Sequence, residues 1–167
     1  MELLLDADGL IKLNRAGVLT RVVETCSCVV PLAVYGEAVT EGKARRYPDA
    51  DAIEEALSNG VQIEDVQGSL ELELGLGPGE QAILTLLSQR RDAIVVSDDR
   101  RFLTVLSRQE IPFLTPVDVL VVLKRRRVLT ALEAREALER LRPAIRTTAY
   151  WDARKDLQSE GGGHGKD

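Results

Sequence analysis

Three short apolar runs constrain this chain more than anything else in it. They are "ELLLD" at residues 2–6, "CSCVVP" at 26–31 and "AIVVSDD" at 93–99. Continuous apolar strands of this length belong inside a parallel sheet covered on both faces. Each run is followed by residues at helical spacing. After the first, "GLIKLNRAG" and "VLTRVVETC" turn Leu10, Leu13, Leu19, Val22 and Val23 inward, with Gly17 as a stop between them. After the second, "LAVYGEAVTEGK" reads as a helix closed by Gly42, with Val34, Glu37, Ala38 and Glu41 along one stripe. After the third, "RRFLTVLSRQ" continues as a helix. Strands alternating with helices predict an α/β fold, three-layer α/β/α, with a mainly parallel central sheet of about four to five strands.

The rest of the chain fits that frame. "DADAIEEALSNG" is a helix with an aspartate near its start and a glycine at its end, and "VQIEDV" alternates as a strand. "LGPGEQAILTLLSQRR" opens a helix at Pro78 with Glu80, Ile83, Leu84 and Leu87 on one face, and "IPFLTP" is a short strand bounded by prolines. Beyond residue 116, "VDVLVVLKRRR", "TALEAREALERLRP" and "IRTTAYWDARKDLQ" read as three extra C-terminal helices. A chain of 167 residues holds one core. We therefore expect a single domain over 1–157, with a core at 2–116, C-terminal helices at 117–157, and a disordered tail at 158–167 ending in "SEGGGHGKD".

Bulk properties exclude several classes. No apolar run approaches the roughly 20 residues of a membrane span, and "MELLLDADG" lacks the basic start of a signal peptide, so a cytoplasmic location is expected. Cys26 and Cys28, one residue apart on an expected strand, share a face and sit too close for easy disulfide geometry, which favours reduced thiols. With one histidine, His164, a structural zinc site lacks ligands. The net charge of −5 argues against a chain that binds nucleic acid by bulk charge. Any such contact is local, from Arg45-Arg46, Arg90-Arg91, Arg100-Arg101 or "KRRR" at 124–127, and each cluster also reads as a solvated face or helix end.

Ligands of parallel sheets bind beyond the carboxyl ends of the strands. Asp6 and Asp8 at the end of the first strand, and Asp98 and Asp99 at the end of a later one, are expected at that edge. Glu37 and Glu80 sit beside buried stripes. Hard cations such as Mg²⁺ and Mn²⁺ take oxygen ligands, and four acids from four elements (Asp6, Glu37, Glu80 and the Asp98-Asp99 pair) suit them. Without a cation, converging carboxylates repel and raise one another's pKa. A bound ion lowers the pKa of water and polarises a phosphoryl oxygen, and a second ion can stabilise the leaving oxygen. The absence of a Ser-His-Asp or Cys-His set favours this chemistry. Taken singly, each acid has a structural alternative. Glu37 and Glu80 also suit the positive end of a helix, Asp99 a helix N-cap, and Asp8 the cap of the first helix.

These motifs, in this order, resemble the PIN-domain ribonucleases, the family that includes VapC-like toxins. "LLLDADGLIKL" places Asp6 at the family's first acid and Asp8 where a hydroxyl residue usually stands. Glu37 in "VPLAVYGEAV" and Glu80 in "LGPGEQAILTL" match the second and third acids. "VVSDDRRFL" matches the last motif with Ser97 in its threonine position, which makes Asp99 the ligand and Asp98 the intervening residue, or Asp98 the ligand on a one-residue shift, so both are catalytic candidates. The resemblance covers residues 2–116. We expect Asp6, Glu37, Glu80 and Asp99, with Asp98 adjacent, to hold one or two ions, Asp8 and Ser97 to tune the surrounding shell by hydrogen bonds, and Arg100, Arg101 or the "KRRR" run at 124–127 to touch the RNA backbone. The resemblance implies a Mg²⁺- or Mn²⁺-dependent endoribonuclease. It also implies a homodimer and, in the toxin branch, an antitoxin partner. Two other readings compete. "DADGL" nearly spells the opening motif of haloacid-dehalogenase-like phosphatases, in which Asp6 is a nucleophile, but Leu10 replaces the expected threonine and Glu37 and Glu80 are left without a role. The other is a catalytically silent binding module on the same fold.

Overall fold

The apolar runs form the middle of the sheet. In a computed structural model describing residues 2–67 and 75–158, five strands pair in the order β3-β2-β1-β4-β5, every pairing parallel. They are β1 (Glu2–Leu5), β2 (Ser27–Pro31), β3 (Gln62–Glu64), β4 (Ile94–Val96) and β5 (Phe113–Leu114). Leu3, Leu4 and Leu5 are all buried, as are Cys28, Val29 and Val30. Successive strand residues point to opposite faces, so burial of every one requires that both faces be covered. The fold is the expected three-layer α/β/α, with five strands and an entirely parallel sheet.

From β1 the chain passes through α1 (Ala7–Arg15) and α2 (Leu19–Thr25) to β2, and then through α3 (Leu32–Tyr35), a π-helical stretch (Gly36–Glu41), α4 (Gly42–Ala44) and α5 (Asp49–Leu57) to β3. It returns past β1 by way of α6 (Pro78–Gln89) to β4, and α7 (Arg100–Arg108) leads to β5. The first two steps run one way across the sheet and the last two the other way. The direction therefore reverses between β1 and β4.

Three local expectations change. Gly42 does not close its helix: it lies buried in helical conformation, its Cα facing Ala50, and the helix ends at Arg46 (φ 58°) ahead of Pro48. The preceding π turns widen the helix, so Val34 and Ala38 are buried while Glu41 is exposed, and the four-residue stripe is broken at its last member. Cys26 ends α2 instead of sharing a strand face with Cys28; both are free thiols.

The C-terminal helices are α8 (Pro116–Arg125), α9 (Ala131–Leu141) and α10 (Thr147–Gln158), with a 3-10 turn (Arg142–Ala144) before α10. Two capping boxes start them, Thr115 with Asp118 and Thr130 with Glu133. The basic run at 124–127 falls at the end of α8, where cations suit the helix dipole. The three helices pack on one another, α8 and α9 also touch α1, and Leu120, Leu138, Tyr150 and Leu157 join the same contiguous core as Leu3 and Val95. The expected disordered tail lies outside the described residues beyond Gln158. Among the described residues no helix is long and apolar enough to cross a membrane.

Candidate active site

Where the chain leaves the paired strands β1 and β4 in opposite directions across the sheet, a crevice is expected beyond their carboxyl ends. Asp6 follows β1 directly, and its N–H donates to the Val96 carbonyl at 3.2 Å, tying it to β4. Its backbone is extended (φ −88°, ψ 174°), and its carboxylate accepts the Gly9 N–H at 2.6 Å, so Asp6 itself is the N-cap of α1. The capping role foreseen for Asp8 therefore belongs to Asp6, and Asp8 lies in the first turn. Gly9 makes this possible. A Cβ there would stand 2.5 Å from the Val96 carbonyl oxygen and 2.9 Å from Asp6 Oδ1.

At the end of β4, Ser97 is fully buried. Its hydroxyl accepts the Asp99 N–H at 3.1 Å and hydrogen-bonds to the Asp6 carboxylate, linking the two strand ends. Asp99 caps α7, accepting the N–H groups of Arg101 and Phe102 at 2.9 Å each. The third and fourth acids meet at the start of α6. Glu80 accepts the Gly77 N–H at 2.7 Å, and Glu37 accepts the Gly79 N–H at 3.1 Å. A Cβ on Gly79 would lie 2.9 Å from Val34 and 3.1 Å from both Glu37 carboxylate oxygens, so only glycine lets α6 begin this close.

Asp6, Glu37, Glu80 and Asp99 thus line one cleft of about 160 Å³, with Asp8 also on its wall. Asp98, adjacent in sequence to Asp99, does not line it. Because Asp99 turns back to cap α7, Asp98 points the other way, 2.6 Å from Lys12 Nζ. Lys12 also binds Asp8 at 2.9 Å. Arg100 and Arg101 are exposed on the first turn of α7, and Arg101 is near enough to oppose the raising of the Glu80 pKa.

Three of the cleft acids are shifted upward. Burial lifts the Asp6 carboxyl to about 7 against the bonds from Ser97 and Gly9, and the charges of Asp8 and Glu80 add to it. Glu37 is raised by burial against the Gly79 N–H, with a smaller push from Glu41. Glu80 is raised by burial against the Gly77 N–H, then by Asp99 and Glu37. Burial of Asp6, Glu37 and Glu80 near other carboxylates is a cost that a bound cation would relieve. Each backbone N–H bond engages one carboxylate oxygen, and an all-oxygen donor set is the kind a hard divalent cation accepts. Among the described residues no three acids are gathered tightly enough to form a ready-made coordination cluster.

Sequence reasoning missed Gly9, Gly79 and Lys12. Lys12 had a signal, its four-residue spacing from Asp8 on one helix. Gly79 had a weaker one, lying between a helix-opening proline and an acid. The need for Gly9 arises from the neighbouring strand, which no local pattern reports.

An all-parallel α/β sheet with carboxylates from four elements meeting at its switch point defines a class, a parallel α/β fold with an acid-lined crevice where such sheets bind their ligands. A family model described as PIN domain matches residues 2–150 of this chain. The chain belongs to the PIN-domain family, whose fold is that of nucleases, hydrolases acting on nucleic acids. The match runs past residue 116, through α8 and α9 and into α10. Among curated proteins none matches the chain.

Proposed function

We propose that this protein is a Mg²⁺- or Mn²⁺-dependent endoribonuclease. The observation behind this reading is the meeting of Asp6, Glu37, Glu80 and Asp99, from four separate elements, in one cleft at the β1/β4 switch point. These four would hold one or two ions, which when bound supply an activated water and polarise the phosphoryl oxygen. The protein's own part is to hold the carboxylates apart and aimed. Gly9 and Ser97 fix Asp6, Gly77 fixes Glu80, Gly79 fixes Glu37, and the first turn of α7 fixes Asp99. Asp8 orients Lys12 beside the cleft. A phosphatase reading would leave Glu37 and Glu80 idle and does not accord with the family. We further infer a cytoplasmic homodimer, with an antitoxin protein as partner should the chain belong to the toxin branch.

The test is Mn²⁺-dependent cleavage of an RNA panel, run beside a phosphate monoester, with Glu80→Gln as control. RNA cleavage that needs the ion and falls at least about 100-fold in Glu80→Gln is expected, the scale of removing a principal group from a metal-assisted site. Monoester turnover that survives in Glu80→Gln would favour the phosphatase. A chain with no affinity for Mn²⁺, and an Asp6→Asn variant equal to wild type toward RNA, would leave a binding module.

A further inference from the structure

Beside the acid cleft, past the Lys12 bridge, lies a second and larger groove of about 400 Å³. α7 lines one side with Arg100 and Leu103, and the turn between α9 and α10 lines the other with Pro143, Ala144, Ile145 and Arg146. Lys12 and Asp98 lie between, and because Lys12 also binds Asp8, this one side chain touches a residue of each cavity. The Lys12 charge is matched by its two aspartates. Arg100 and Arg146 are exposed, and among the described residues neither has an ion-pair partner, so they set the sign of the groove. Leu103 and Ile145 are half-buried and Pro143 is exposed, which gives the groove an apolar surface under its cations.

We propose that this groove is a nucleotide subsite for the substrate strand. It rests on the ribonuclease reading above and adds a place for the nucleotide next to the scissile phosphate. Arg100 and Arg146 face a backbone phosphate, and Leu103, Pro143 and Ile145 accept the flat face of a base. The groove's position selects single-stranded RNA over a free anion or an acidic peptide, and its cations and volume suit that ligand. The groove adjoins the acid cleft across a single side chain, its cations are guanidinium groups suited to bidentate phosphate contact, and its volume falls in the range of ligand-sized pockets. In a chain whose net charge is −5, two unpaired arginines beside an acid cleft supply the local attraction that the whole molecule lacks. The C-terminal helices then contribute directly to substrate contact, because one wall of the subsite is the turn that joins two of them.

The experiment is fluorescence anisotropy of a labelled single-stranded RNA on the full chain, in chelator so that no cleavage intervenes, across a salt series. Arg100→Ala and Arg146→Ala are each expected to weaken binding about three- to tenfold at low salt, and to flatten the log-affinity against log-salt slope by about 0.7, the value for one contact to a single strand. Arg135→Ala, an exposed arginine on α9 outside the groove, should leave the slope unchanged. In Mn²⁺-supported cleavage the same two groove variants should raise KM more than they lower kcat. If wild type cleaves RNA while both variants, folded by circular dichroism, keep its affinity and slope, the subsite is overturned and the nuclease stands. If an acidic peptide displaces the RNA from wild type but not from Arg146→Ala, the groove is a protein-docking surface and the proposal falls. If wild type neither binds nor cleaves RNA, the nuclease reading itself has failed.

Discussion

Replacing Asp6 with asparagine should stabilise the protein at alkaline pH. The unfolded carboxyl ionises near 3.8, whereas burial holds the folded one near 7. Between those values the folded state keeps a proton that the unfolded chain has released, so stability falls as pH rises and the whole penalty is present above pH 7. At about 1.4 kcal/mol per tenfold change in proton affinity, the penalty is about 4 kcal/mol as a ceiling, and on the order of 2–4 kcal/mol after the site relaxes. Asparagine keeps the acceptor for the Gly9 N–H and is as good an N-cap, so α1 loses nothing. Urea unfolding in chelator should show Asp6→Asn more stable by about 2–4 kcal/mol at pH 8 and by about 1 kcal/mol or less near pH 4.5. Adding Mn²⁺ at pH 8 should stabilise wild type more than Asp6→Asn, which lacks one of the four carboxylates that would hold the ion. A variant that is equally or less stable at pH 8, or whose gain is the same at both pH values, would refute the reasoning.

Other perturbations probe the supports. Gly9→Ala pushes a methyl group against the Val96 carbonyl and Asp6, and should cost about 1–3 kcal/mol in urea unfolding as well as Mn²⁺ affinity by calorimetry. Lys12→Met leaves Asp8 and Asp98 without their shared cation. It should lower stability by on the order of 1–2 kcal/mol at neutral pH, with the loss smaller in about 1 M salt, as unfolding midpoints would show. Thr130→Ala removes the capping box of α9 and should cost about 1 kcal/mol, lowering the calorimetric Tm by about 2–4 °C while RNA cleavage is unchanged.

The architecture was legible because its signals are local. A run such as Leu3, Leu4 and Leu5 has no exposed side and must lie inside a covered sheet, and Pro78 followed two residues later by an acid marks the start of a helix. The grouping of Asp6 with Asp99 followed from the rule for parallel sheets, once both were placed at strand ends. What could not be read depends on how neighbours meet in space. Asp98 and Asp99 are equivalent in composition, and only the backbone N–H groups of Arg101 and Phe102 decide which of the two turns toward α7. Asp6 looked available as a free acid because nothing in the run before it reveals that its own helix would recruit it as a cap. The helix after β2 runs on through Gly42 for a different reason. Glycine ends helices when it adopts positive φ, but here its small size serves the contact with Ala50.

The π turns between Gly36 and Glu41 also make the length of this helix critical. Residues before them pack against α6, and residues within and after them pack against α1 and α5. Removing one residue from the wide turns would rotate everything downstream by about 100° relative to everything upstream, since an α-helix turns once in about 3.6 residues. Val34 and Val39 could not then both stay buried. Single-residue insertions or deletions should therefore be poorly tolerated across 36–41 and readily tolerated around Gly60, where the chain turns in the open at φ 100°.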